Sequence, residues 1–150
     1  MAPMLPPPSH NHSRSFFISK MTPAAVDILS SAVDKIPDGV HFGVGNFFVR
    51  GEAIEPRPES SYRLREAYVF VHALAPTLDP ARIDEGVQWP EDIFSALAKE
   101  GSVKANYVAI LEEGLSVEAC FGKEIFERLR KLKKKVDPEN FFRFTPAKLD

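Results

Sequence analysis

An α+β fold, an antiparallel sheet with helices on one face, is predicted by three features of the sequence. Short β-prone runs alternate with amphipathic helical stretches. Their order is strand, helix, strand, strand, helix, strand, with a further helix near the end. Proline and glycine clusters separate most of them, as turn chemistry requires.

Residues 1–14 (MAPMLPPPSHNHSR) carry four prolines in the first eight positions and are expected to form an unpacked tail. The ordered chain, residues 15–150, is expected to be a single domain that opens on a strand at Ser15–Lys20. Thr22 with Pro23 behind it reads as an N-cap and first helical residue. Val26, Leu29, Val33 and Ile36 then form one apolar stripe, ended by Pro37-Asp38-Gly39. Val40–Arg50 reads as a strand loosened by Gly43 and Gly45, and glycines there mark a bulge or a close approach to the backbone. A loop with Pro56 and Pro58 leads to the clearest strand, Ala67–Ala73. A second helical region runs from Asp79-Pro80 to Glu100, with Pro90 expected to break or kink it and Gly101 to close it. Val103–Leu111 is the fourth strand. The last helix, Gly122–Lys135, carries Phe121, Ile125, Leu129, Leu132 and Val136 along one side, with Glu124–Arg128 and Glu127–Lys131 as exposed pairs. The order β-α-β-β-α-β is the split βαβ, ferredoxin-like pattern.

Composition narrows the function classes. Of the 150 residues, 44% are hydrophobic and 27% charged, enough for a packed core. A formal net charge of −2 argues against nucleic-acid binding through bulk positive charge. Lys131, Lys133, Lys134 and Lys135 fall on the polar side of the last helix, where a solvated face is the simpler reading. The single cysteine, Cys120, excludes an intrachain disulfide framework and is expected to be buried and inert among Leu115, Phe121 and Ile125. There is no membrane-length apolar run and no signal-like apolar segment, so the expectation is a soluble, cytoplasmic protein with no membrane partner. His10 and His12 in a flexible tail are not expected to hold a metal.

The C-terminal region carries a more specific signal. Phe121-Gly122-Lys123-Glu124, then Arg128-Leu129, Leu132-Lys133 and Val136-Asp137-Pro138-Glu139-Asn140-Phe141-Phe142-Arg143, resembles the C-terminal signature of berberine bridge enzyme-like FAD-linked oxidases. Gly51-Glu52-Ala53-Ile54 is similar to a G-G-A-I turn of that family, and the resemblance extends over residues 15–148 or so. It implies a substrate-domain and C-terminal portion, with the flavin-binding domain of the family absent from this chain. FAD is then expected only through a separate partner chain, against which Asn140 in the D-P-x-N-x-F tail would pack. The family's Y-x-N-Y-x-D stretch falls on Tyr107 to Glu112, where Ala109 replaces the asparagine and Ile110 replaces the tyrosine base. Isoleucine takes no proton.

Candidate chemistry without a flavin rests on a few side chains. The alternation at Ala67–Ala73 puts Tyr68, Phe70 and His72 on one sheet face, opposite Val69 and Val71. An aromatic face on a small domain calls for a cover: a second subunit, a missing domain or a ligand. His72, Tyr107 and His41, the last from a neighbouring strand, are the candidate catalytic groups, His72 and His41 being suited to proton transfer. Each also has a plain structural reading, as strand histidines or aromatic packing. Tyr68, Phe70, Arg65 and Trp89 are the candidate substrate-binding residues, although Arg65 also suits a surface ion pair and Trp89 a packing anchor.

The expected function is therefore a stand-alone berberine bridge enzyme-like C-terminal domain that binds or acts on a small secondary metabolite in biosynthesis. Alternatives are a flavin-independent cyclase or isomerase and a non-catalytic interaction module, with a homodimer as the expected assembly.

Overall fold

A computed structural model describes residues 10–36, 41–58, 60, 65, 69–110, 115–144 and 149. Four strands, β1 (His10–Ile18), β2 (Gly43–Phe48), β3 (Val69–Thr77) and β4 (Val103–Asn106), form one sheet in the order β2-β3-β1-β4. Every neighbouring pair is antiparallel. Each helical crossover therefore skips one strand, which is the split βαβ arrangement that the element order predicts.

Two helices, α1 (Pro23–Asp34) and α2 (Ile83–Glu100), pack on one face of the sheet. The core between them holds Phe16 and Ile18 of β1, Val69, Val71 and Ala73 of β3, Ala25 and Leu29 of α1, and Ile93 and Leu97 of α2. Burying the Phe, Ile, Leu and Val side chains among these contributes about 1.5–3 kcal/mol each. Two further α-helices follow β4, the short α3 (Val117–Phe121) and the longer α4 (Lys123–Val136). They form a smaller cluster around Val117 and Cys120, with Leu115, Phe121 and Phe126 against it.

The local signals explain the ends. The Thr22 hydroxyl accepts the Ala25 amide at 3.0 Å and donates to Glu100 Oε1 at 3.0 Å, so one cap starts α1 and ties it to the end of α2. Gly101 sits at φ 85°, and the Ser102 amide behind it returns to the Leu97 carbonyl at 3.1 Å, closing α2. Within α2, Gly86 lies over β3: a Cβ there would stand 3.3 Å from the Ala75 carbonyl oxygen. Its missing side chain lets helix and strand approach.

Several boundaries and faces differ from the sequence expectation. β1 begins at His10, so residues 10–14 pair with Ala73–Thr77 instead of joining a tail. There Arg14 is 5% exposed, its guanidinium 4.0 Å over the Phe94 ring and its Nε 3.6 Å from Glu91. A strand with so many polar residues carries little hydrophobic signal. It is ordered by its ladder and by these α2 partners. β2 is shorter than 40–50, and β3 runs on through Thr77. β4 stops at Asn106, after which Val108–Ile110 turns as a 3-10 helix.

The apolar stripe of α1 is rotated. Ala25 and Leu29 are buried and Ile28 and Ala32 pack against the core, while Val26 and Val33 are 44% and 47% exposed. Small alanines let α1 lie close to α2, and the Trp89 indole donates to the Ala32 carbonyl at 3.0 Å. Pro90 does not break α2: its ring is buried, and core contact offsets the lost amide. On α4, Ile125 is buried but Leu132 and Val136 are 53% and 67% exposed, so only the first half of the predicted stripe is covered. Glu127 pairs with Arg130 at 3.4 Å, one residue short of the i, i+4 spacing expected.

Candidate functional site

The second face of the sheet is set by strand parity. Phe17 of β1 stands opposite Phe70 of β3, and Phe70 opposite Phe47 of β2. Because side chains alternate, these rings point away from the face that buries Phe16, Val71 and the helices. Tyr107, just past β4, joins them: its amide donates to the Ser15 carbonyl at 3.1 Å, which fixes its place beside β1.

The result is a continuous aromatic run. Ring centroids are 6.0 Å apart for Phe47 and Phe70, 5.3 Å for Phe17 and Phe70, 5.1 Å for Phe70 and Tyr107, and 5.7 Å for Phe17 and Tyr107. The Tyr107 contacts are edge-to-face, at 71° and 85°. Phe17 forms the floor, at 3% exposed, and Phe47 the rim, at 61%. Such pairs add about 0.5–1.5 kcal/mol each beyond area burial.

One row along, Ser15 lies opposite His72 and His72 opposite Gly45. The Ser15 Oγ and His72 Nε2 atoms are both buried and neither has a hydrogen-bond partner. Burial lowers the His72 pKa from its usual value, since the imidazolium would lose its water. The imidazole is therefore neutral at pH 7, able to accept a proton or a hydrogen bond.

The predicted candidates separate on this geometry. Phe70, His72 and Tyr107 share one face and lie together. His41 does not join them: it precedes β2, is exposed, and the β2 residue beside His72 is Gly45. Tyr68 lies outside the described residues. Arg65 is tied to the preceding loop, donating to the Ala53 carbonyl at 3.2 Å and to Ser60 Oγ at 3.0 Å. Trp89 packs on the helix side of the sheet, where it touches Phe42 and lines a cleft of 410 Å³ between α1 and α2. Cys120 is buried as expected, its Sγ 3.6 Å from the Ser116 carbonyl and its pKa raised by burial.

Ser15, Phe17 and Phe47 escaped sequence reasoning. The signal was present: in Ser15-Phe16-Phe17 only one phenylalanine can face the core, so the other must line the opposite face. No cluster of three or more histidine, cysteine or acidic side chains placed for a metal occurs among the described residues. No helix among them is long and apolar enough to cross a membrane.

Residues 105–147 match the family model described as berberine and berberine like. The chain resembles the C-terminal part of the berberine bridge enzyme-like FAD-linked oxidoreductases. Over 138 residues it is 27% identical to the FAD-linked oxidoreductase aurO of Gibberella zeae, a match covering 91% of this chain and 27% of that protein. In fold it is similar to aclacinomycin oxidoreductase (TM-score 0.70, 17% identity, 86% of this chain and 30% of that one). Chitooligosaccharide oxidase gives a TM-score of 0.69 at 15% identity, over 94% of this chain and 33% of that one. The 6-hydroxy-D-nicotine oxidase of Arthrobacter nicotinovorans gives 0.69 at 20%, over 95% and 32%. The chain thus spans between a quarter and a third of the length of these proteins.

In the berberine-like segment, Asp137 organises the tail. Its carboxylate pairs with Lys133 and accepts the amides of Phe141 at 2.7 Å and Phe142 at 3.1 Å. The Lys133 hydrogen bond and, against the opposing effect of burial, those two amides hold its pKa below the usual value. Asn140 adopts φ 54°, and its amide donates to the Asp137 carbonyl at 3.1 Å, so it shapes this turn. Phe141, Phe142 and Phe144 are left 74%, 72% and 90% exposed.

The residues described here do not fit the phosphate end of a flavin dinucleotide. Such a group takes backbone amides at a glycine-rich helix start. The left-handed glycines, Gly51, Gly101 and Gly122, are isolated turn and cap positions, and the first turn of α2 presents Asp84 and Glu85.

Proposed function

We propose that this chain supplies the substrate-recognition wall of a berberine bridge enzyme-like FAD-linked oxidoreductase, with the flavin carried by another portion or partner. The single observation behind this reading is the aromatic run Phe47–Phe70–Phe17–Tyr107 on the sheet face without helices. It offers edge and face contacts to a small planar aromatic molecule, while His72 beside it can take or return a proton. The exposed Leu132, Val136, Phe141, Phe142 and Phe144 support a second element of the reading: an apolar surface of this kind suits docking of the flavin-bearing portion. The structural relatives are named for substrates as different as a chitooligosaccharide and 6-hydroxy-D-nicotine. That spread of names on one fold supports a reading in which side chains on this wall, and not the fold, set the choice of substrate.

Titration with 2-naphthol, followed through backbone amide NMR shifts, tests the reading. Shifts are expected along β1, β3 and Tyr107, and Phe70→Ala should weaken binding at least tenfold. Shifts confined to the α1–α2 cleft, or none, would sink it. So would tight retention of FAD by this chain alone. Catalytic isomerisation of an aromatic substrate by the flavin-free chain would favour the cyclase or isomerase alternative instead.

A further inference from the structure

We infer that Ser15 and His72 form a polar floor that receives a hydroxyl group of the aromatic ligand. The inference rests on the aromatic wall just described and goes beyond it by naming the ligand's functional group. Ser15 is 3% exposed, yet its Oγ has no partner; His72 Nε2 is likewise buried and unpaired. A buried polar atom without a partner is costly and uncommon in folded proteins. Here two of them stand in register on adjacent strands, where Cβ atoms lie roughly 4.5–5.5 Å apart. A single oxygen between them can use both.

The chemistry selects the group. In the tautomer with the proton on Nδ1, neutral His72 Nε2 is an acceptor and needs a donor from the ligand. Ser15 Oγ–H is a donor and needs an acceptor. A phenolic hydroxyl is both at once: its O–H donates to His72 while its oxygen accepts from Ser15. An ether oxygen serves Ser15 only. The ring that bears the hydroxyl reaches the aromatic run immediately beside it, since Phe70 is two residues from His72 with ring centroids 6.3 Å apart.

Space for that ring is provided by β2. Gly43 and Gly45 fall on the same face as Phe47, opposite Leu74 and His72. A Cβ at Gly43 would meet nothing within 4 Å, whereas one at Gly45, beside His72, would stand 3.3 Å from the Phe47 ring, so the open backbone lies at Gly43, one row beyond the polar pair. Glycine in a strand interior weakens it and commonly marks close approach by another group.

The experiment compares 2-naphthol with 2-methoxynaphthalene on the intact chain by fluorescence titration, for the wild type and for Ser15→Ala, His72→Phe and Gly43→Val. The phenol is expected to bind at least tenfold more tightly than its methyl ether; this preference should fall toward one in His72→Phe, whereas Ser15→Ala should weaken both probes and keep the preference. Preference should also fall as pH drops and His72 takes a proton, because an imidazolium no longer accepts. Gly43→Val should fold normally and weaken both probes. In the free protein, Ser15→Ala should leave Tm unchanged or raise it, since it removes an unpaired hydroxyl; a purely structural serine would lower it.

Equal binding of phenol and ether to the wild type would overturn the polar floor and leave the aromatic wall standing. An unchanged preference in His72→Phe, or a lowered Tm in Ser15→Ala with the affinity of both probes intact, would also overturn it. Failure of both probes to bind would remove the inference and the wall together.

Discussion

His72 carries its consequences in a single nitrogen. Burial disfavours its charged form in the folded protein, whereas an unfolded histidine titrates near 6.5. The unfolded chain therefore binds more protons below that pH, so stability is full above about 6.5 and is lost as pH falls through the lowered folded value. Thermal melts at pH 7.5 and 5.5 should show a larger drop for the wild type than for His72→Phe. A drop of equal size would mean that His72 is not the titrating group. The alternation of Phe70 and His72 was legible in the sequence because period two is a local property of a strand. Their partners Ser15, Phe17 and Gly45 come from strands far away in the chain, and only the register brings them together.

At the scale of elements, the cap and turn chemistry was readable and the helix faces were not. Thr22, Gly101 and Asp137-Pro138 act within a few residues, so each could be recognised from its neighbours. The buried face of α1 depends on what lies above it: Trp89 and the core select Ala25, Ile28, Leu29 and Ala32 over the more hydrophobic Val26 and Val33. The tail after α4 is likewise a local device. Asp137→Asn keeps the shape but removes the charge that holds Lys133 and strengthens the bonds from the Phe141 and Phe142 amides. Chymotrypsin should then cleave at Phe141, Phe142 and Phe144 several-fold faster, with the rest of the domain intact. In the wild type the same acceleration should appear as pH falls below the ordinary aspartate value near 3.8, because the carboxylate's contribution is present above it and lost as the lowered folded pKa is crossed; an acid-stable protease such as pepsin reads it. Identical digestion of wild type and Asp137→Asn would exclude this role.

For the whole molecule, the sheet divides labour between its faces. One side, with Phe16, Ile18, Val71 and Leu97 fully buried, holds the domain together. The other carries Phe17, Phe70, Tyr107 and His72. The two should respond differently to mutation. Leu97→Ala should cost about 2–5 kcal/mol and lower Tm by roughly 4–20 °C. Phe47→Ala, at a rim position 61% exposed, should change Tm by only a few degrees while weakening the aromatic ligand. Calorimetry together with the 2-naphthol titration separates these effects, and a large Tm loss in Phe47→Ala would contradict the division.

The sequence by itself determined the α+β class, the element order, the caps and the berberine-like C-terminal signature, because each is written in local patterns of a few to some twenty residues. The tertiary structure decided which strands become neighbours, and with that which side chains meet. Pairing of β1 with both β3 and β4, and of β3 with β2, places Ser15 beside His72 and Tyr107 against Phe17, and leaves Gly43 as open backbone on the same face. Long-range antiparallel register depends on burying one face against α1 and α2, a constraint that acts only once the chain has folded.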